Sequence, residues 1–549
     1  MKKIISVLLT VLMILPLALP ASAQKINPEE SKSQIPVIRI LGDGEPMYDA
    51  EGNRLFHIRS MFNESGEETE EEKGDNAELY ASVINVLMPF LIDGLLNDEW
   101  DAYYENLQKE IGELTGDAKL DCNGNPVEGT GISETRQKFM DYASTHNKKG
   151  SKGYYGLYDY HFWYDWRLDP LESADKLHTY IQAVKKVTKC NKVAINASCI
   201  GTIVTTAYVK KYGVSDIQGI GYTGSLANGA EILSESISGK FDTNSAAINR
   251  ILMDSAYLGI FNFGDFINTT IDMVLATGVI DFLEKDIRDN LYNKLVYGVT
   301  SALALSTFYT YPSYWAAVSA EDYEDALVHV FGENYADPDH EYAGLIKKIE
   351  NYNVEVRQQF PEIIKSISAG GANFAAIAKY GFQILPICKS YDAVSDQFVS
   401  VKRASFGATT STIYEPLEES YILSRQQLGF GKYISPDKQI DASTCIYPDY
   451  TWFVKNSSHS EYTDYEKKLL YDVSTADRQL TVEDFPWSQF MVYDYDTDTM
   501  VAMTEENCNT EQWQADEEVD NQSNFFKVLT NFIKKLLNWF KQLFSFFQK

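Results

Sequence analysis

The stretch from Tyr155 to Tyr222 constrains the fold most. Tyr155–Tyr160 reads as a strand, and Ala174, Leu177, Ile181 and Val184 then fall on one face of a helix over Glu172–Thr188. Lys192–Asn196 is a short strand, Ile200–Tyr212 has helical spacing with Gly213 placed to stop it, and Asp216–Tyr222 is strand-like again. Strands separated by whole helices cannot pair as hairpins. They pair parallel through crossovers, which puts helices on both faces of one sheet. The expected fold class is therefore α/β, with a mostly parallel central sheet. The chain has 549 residues, 44% of them apolar, enough for a large buried core.

Further strands are expected at Ile35–Leu41, which runs into the turn Gly42-Asp43-Gly44, and at Gly381–Cys388 and Tyr450–Lys455. Between about residues 225 and 370 the pattern is helical and rich in aromatics, as expected of a helical cap inserted between two parts of one sheet. No Pro/Ser linker marks it as a separate domain. Asn76–Leu96 also has helical spacing, while 63–75 and 117–132 read as loops.

The two ends differ from this body. Lys2 and Lys3 precede an apolar run, Ile4–Leu19, that stops at Pro20 and Ala21-Ser22-Ala23. That is the layout of a cleaved secretory signal peptide over 1–23, and it places the chain outside the cytoplasm. Residues 521–549 carry five lysines and no acid. Phe525, Leu529, Phe532, Leu536, Phe540, Leu543 and Phe547 make one apolar stripe, so an amphipathic cationic helix that seeks a membrane surface is expected. The remainder, 24–520, carries the acidic excess behind the formal charge of −30, which argues against nucleic acid as a partner. The six cysteines show no zinc-site spacing; no metal or cofactor is implied, and no disulfide pairing can be assigned.

Chemistry enters where the Lys192–Asn196 strand meets the following helix, at Ala197-Ser198-Cys199-Ile200-Gly201. A sharp strand-to-helix turn exposes its central side chain and sets the next N–H beside a developing oxyanion. Such a turn needs small residues two before and two after the nucleophile. Ala197 and Gly201 meet that need only if Cys199 is central. Centring it on Ser198 would crowd Asn196 and Ile200 into those positions.

Upstream lies Tyr164-Asp165-Trp166-Arg167. At that distance before the elbow it resembles the lecithin:cholesterol acyltransferase-like branch of the α/β-hydrolases. Thr310-Tyr311-Pro312-Ser313 resembles that family's aromatic-Pro-Ser cap segment, Ile35 through Gly44 its first strand and oxyanion turn, and Asp396-Gln397-Phe398-Val399-Ser400 its Asp-Gly-x-Val-Pro acid loop. The resemblance spans most of residues 35–465 and implies an α/β-hydrolase fold. The sequence departs from the pattern in three places: Cys199 stands where the family has Ser, Ala197 where it has Gly, and the acid loop lacks its Gly and Pro.

In this fold the acid follows the nucleophile and the histidine comes last. Of the histidines after Cys199, His329 and His340 precede Asp396, which leaves His459. Asp396 is favoured as the acid, with Asp392 and Asp441 as rivals. His459 would deprotonate Cys199, Asp396 would orient the ring, and the N–H groups of Ile200 and of Asp43 or Gly44 would bind the oxyanion. Asp165 and Arg167 are expected to form a buried pair shaping the floor of the site. Two functions compete: a secreted acyl hydrolase or acyltransferase acting on a lipid-like ester, and a non-catalytic binding or surface protein on a decayed hydrolase scaffold.

Overall fold

The computed structural model describes residues 35–42, 46–55, 99–141, 159–242, 305–385, 388–485, 488–494 and 499–508, with a few isolated positions between them. Eight strands form one sheet: β1 (Val37–Ile40), β2 (Asp159–His161), β3 (Val193–Cys199), β4 (Ile217–Ser225), β5 (Asn373–Tyr380), β6 (Thr451–Lys455), β7 (Phe490–Asp494) and β8 (Thr499–Ala502). Their spatial order is β8-β7-β6-β5-β4-β3-β1-β2. Every neighbouring pair is parallel except β7 with β8. This is the α/β class that the strand–helix alternation requires, wound outward from β1 to β2 on one side and to β3 and β4 on the other.

The helix Pro170–Thr188 starts on the Asp169 side chain, which accepts the Leu171 N–H, and buries Ala174, Leu177, Ile181 and Val184 against the sheet. The helix Ile200–Tyr212 is almost wholly buried and packs on its neighbour Pro170–Thr188 and on β3. Across the sheet, helix Asp464–Thr475 packs on β3, β4 and β5 behind a capping box made by Thr463 and Glu466. It comes so close to β4 that a Cβ on Gly219 would lie 2.4 Å from the Ser474 carbonyl oxygen.

One strand is not where the sequence pattern puts it. Residues 381–385 belong to no strand of the sheet, and the strand is Asn373–Tyr380, buried along its whole length. A strand covered on both faces shows no alternation. The run Phe374-Ala375-Ala376-Ile377-Ala378 therefore carries no period-2 signal. Gly381, at φ +117°, ends the strand where it was expected to begin.

Between β4 and β5 every described element is helical: Glu231–Ile237, Pro312–Ala316, Tyr323–Phe331, Ala343–Glu355 and Phe360–Ala369, with short 3₁₀ turns. The last packs on β5 and on helix Ile200–Tyr212 as a crossover helix. Two of the segments singled out in the sequence, Tyr164–Arg167 and Thr310–Ser313, meet here. Arg167 forms a buried bidentate pair with Asp165, at 2.9 and 2.7 Å, and donates to the Ala118 carbonyl. The Tyr311 hydroxyl donates to the same carbonyl, and Trp166 lies against Tyr311 and Tyr314. The segment 1–23 expected to be a signal peptide, most of 76–96, residues 243–293, which hold much of the expected cap, and the tail 521–549 lie outside the described residues. Among the described residues no helix is long and apolar enough to cross a membrane.

Candidate active site

Cys199 ends β3 and sits at the N-cap of the following helix with φ 52° and ψ −130°. A non-glycine residue holds such a conformation only when its surroundings enforce it. The enforcement is visible. At Gly201 an added Cβ would lie 2.1 Å from the Ile40 carbonyl oxygen, so the first turn of the helix is pressed against the end of β1. At Gly42 an added Cβ would lie 2.8 Å from the Cys199 sulfur. The Tyr164 hydroxyl donates to the Leu41 carbonyl at 2.8 Å and holds that strand end in place. Thr202 donates to the Cys199 carbonyl at 2.6 Å and accepts the Leu226 N–H, so the elbow is fastened to the end of β4 as well. Cys199 is a partly exposed free thiol.

The structure brings Asp396 and His459 to this same end of the sheet. His459 Nδ1 and Asp396 Oδ2 are 2.8 Å apart, and the His459 N–H donates to the Asp396 carbonyl at 2.8 Å. The other carboxylate oxygen accepts the N–H groups of Phe398 and Val399. Phe398 stacks on the imidazole with ring centres 4.8 Å apart. Gly224, at φ +50°, leaves room for the ring, since a Cβ there would lie 3.1 Å from His459 Cε1.

The electrostatics tie the three residues together. Burial disfavours the charged imidazole, but attraction to Asp396 and to the Cys199 sulfur outweighs it and raises the His459 pKa to about 10. Burial likewise opposes ionisation of Asp396. The His459 ring, the Lys379 ammonium and the Val399 N–H outweigh it and hold the carboxyl below its ordinary value. His459 Nε2 is buried, and the Cys199 sulfur acts electrostatically on the ring.

The rival residues are engaged elsewhere. Asp441 binds Arg425, Tyr421 and Ser443. Asp392 is exposed, and the carboxylate paired with His459 is that of Asp396. His340 holds the Phe331 carbonyl and the Tyr342 N–H, and His329 packs under Gly239. Ile200 lies at the first turn of the helix beside Cys199, whereas Asp43 and Gly44 fall outside the described residues. Asp165 and Arg167 bond to each other and, through Arg167, to the Ala118 carbonyl and the Ser313 N–H, so they join the elbow side of the sheet to the helical insertion. Among the described residues no cluster of His, Cys, Asp and Glu could hold a metal ion.

Two features of the site gave no sequence signal. Gln397, next to Asp396, has φ +84°, a conformation costly to a side chain. Glu231, on the first helix after β4, accepts the Ser400 N–H, the Ser400 hydroxyl and Arg403 Nε, which fixes the far end of the acid loop.

A doubly wound, mostly parallel sheet with a strained strand-to-helix elbow and a His–Asp pair at the same edge is an α/β-hydrolase-type scaffold. No family model matches the chain, and no curated protein matches it. Among solved structures it is similar to one described as the crystal structure of a Tle4–Tli4 complex. The TM-score is 0.25 and the identity 10%, over 63% of this chain and 75% of that one. A likeness that slight carries no argument about chemistry.

Proposed function

We propose that the chain is an acyl hydrolase or O-acyltransferase of the α/β-hydrolase type, in the branch that resembles lecithin:cholesterol acyltransferase, acting on a lipid-like ester through Cys199, His459 and Asp396. The observation that carries this reading is the strained Cys199 elbow facing an imidazole that is hydrogen-bonded to a buried carboxylate. The Cys199 thiol passes its proton to His459, the sulfur attacks the ester carbonyl carbon, a C–S bond forms, and the carbonyl electron pair moves onto oxygen. The Ile200 N–H, together with the N–H of Asp43 or Gly44 as the sequence leads one to expect, would stabilise that oxyanion. On collapse the C–O bond breaks and the leaving alkoxide takes a proton from His459. The thioester is then attacked by water or by an acceptor hydroxyl whose proton His459 removes, and the thiol is released. A thioester reacts readily with strong nucleophiles, which favours transfer where an acceptor is bound.

A short pulse with a p-nitrophenyl alkanoate, quenched in acid and read by peptide mass spectrometry, tests this. An acyl group on the peptide holding Cys199, absent in Cys199→Ala, is the expected result. A wild-type protein that neither releases nitrophenol nor carries the adduct would leave the scaffold as a binding protein.

The same reading places the protein outside the cytoplasm, following the N-terminal segment 1–23, and on a membrane surface through the helix expected over 521–549. Each lysine near an anionic surface contributes about 1 kcal/mol. Full-length protein should co-sediment with anionic vesicles at low salt, and a chain ending at Asp520 should remain in solution. Equal sedimentation of the two would remove the tail as anchor.

A further inference from the structure

His459 stands in a loop without regular structure, between β6 and helix Asp464–Thr475, so hydrogen bonds rather than a helix or strand must set the ring's position. Two backbone N–H groups of the loop are held from outside it: Ser457 donates to the Tyr380 carbonyl and His459 to that of Asp396. Within the loop, Glu461 Oε2 accepts the Ser458 N–H. Two of its carbonyls face a single cation. Lys379, in β5, is 1% exposed and donates through Nζ to the carbonyl oxygens of His459 at 2.9 Å and of Glu461 at 2.5 Å. An ammonium removed from water to this extent is costly unless its donors and its charge are both used.

We propose that Lys379 is a positioning residue for His459, fixing the loop through these two carbonyls. The assignment rests on the Cys199–His459–Asp396 reading of the site. Two buried acids feel the cation. It helps hold Asp396 ionised, and it draws down Glu466, whose carboxyl burial pushes up. Glu466 also accepts the Thr463 N–H and so begins the helix that follows the loop. One ammonium therefore connects β5, the histidine loop, the acid loop and the next helix. The charged and titratable groups facing His459 are Asp396 from the acid loop, Cys199 from the elbow and Lys379 from beneath; Glu466 from helix Asp464–Thr475 faces Lys379.

The test is the rate of iodoacetamide alkylation at Cys199, resolved from the other cysteines by peptide mass spectrometry, between pH 4.5 and 9. It uses full-length wild type, Lys379→Met, Lys379→Gln and His459→Ala. Lys379→Met keeps the length of the side chain and removes both donors and charge. It should lower the rate at pH 7 by about ten- to a hundredfold, the range expected when a catalytic group is displaced by about an ångström. Its acid limb, which belongs to the coupled set and not to one group, should move to higher pH because the anionic forms have lost a cation. Lys379→Gln restores an N–H donor without charge, so it should recover part of the rate and keep the displaced limb. A purely structural role would not separate rate from limb in this way. Should Lys379→Met fail to fold, the limb of Lys379→Gln decides alone. If both variants stay within twofold of wild type with an unmoved limb while His459→Ala has lost its rate, the Lys379 assignment is wrong and the triad stands. If His459→Ala alkylates as wild type does, the triad reading fails and takes the assignment with it.

Discussion

His459→Ala should lower acyl release from a p-nitrophenyl ester by about 10²- to 10⁴-fold, the usual worth of a positioned acid–base group. In the proposed cycle the ring would serve the nucleophile, the leaving alkoxide and the incoming acceptor, so no single step would escape its loss. Asp396→Asn should act in the same direction. An amide opposite Nδ1 no longer favours the tautomer that leaves Nε2 free to take a proton, and it no longer supports the charged ring. The comparison that matters is between rate and fold. Both variants should keep the wild-type circular dichroism spectrum, because the ring retains partial solvent exposure and the surrounding sheet does not depend on it. A His459→Ala protein with more than about a tenth of wild-type turnover would be incompatible with general acid–base catalysis by this residue.

The second large effect concerns stability. Gly201→Ala should cost at least about 3 kcal/mol, above the ordinary run of overpacking substitutions. The reason is the nature of the obstacle. The added methyl would meet the carbonyl oxygen of Ile40 at 2.1 Å and its carbonyl carbon at 2.7 Å, and a backbone paired with β3 cannot rotate away as a side chain would. Either β1 separates from the helix, which breaks the register Ile40↔Ala197, or the helix start shifts and takes Cys199 out of its strained conformation. Urea denaturation followed by tryptophan fluorescence measures the loss. A change below about 1 kcal/mol would mean that the elbow is looser than these distances imply.

What the sequence disclosed, and what it hid, follows from burial. The helix Ile200–Tyr212 begins and ends where spacing and Gly213 put it, because a strand end and a glycine are local signals. The strand Lys192–Asn196 extends instead to Cys199, since the elbow residues continue the ladder before the chain turns. Asn373–Tyr380 was illegible for the opposite reason: its two covered faces erase the alternation that marks a half-exposed strand. Asp396 and His459 were found through their order along the chain and not through any local pattern, and their hydrogen bond joins residues 63 positions apart. Lys379 gave no signal at all. A lysine in a sequence reads as a solvated charge, and only the carbonyls that converge on it show otherwise.

The β4–β5 pairing sets a schedule for folding. Strand β4 lies at the centre of the sheet, and its partner on one side, β5, is separated from it by residues 226–372. At the pace of synthesis that interval lasts roughly ten to thirty seconds. Through it, a sheet assembled from β1 to β4 has β4 as an open edge, its peptide groups available to any other extended chain. The sequence of that edge is Ile-Gln-Gly-Ile-Gly-Tyr-Thr-Gly-Ser. Gly219 and Gly221 leave the clearance that helix Asp464–Thr475 later fills, and until that helix arrives they are also weak strand formers. The residues that let the finished protein pack tightly thus make the nascent one a poor template for aggregation. Filling either glycine would penalise the native state and, on the ribosome, give the waiting edge a stickier face.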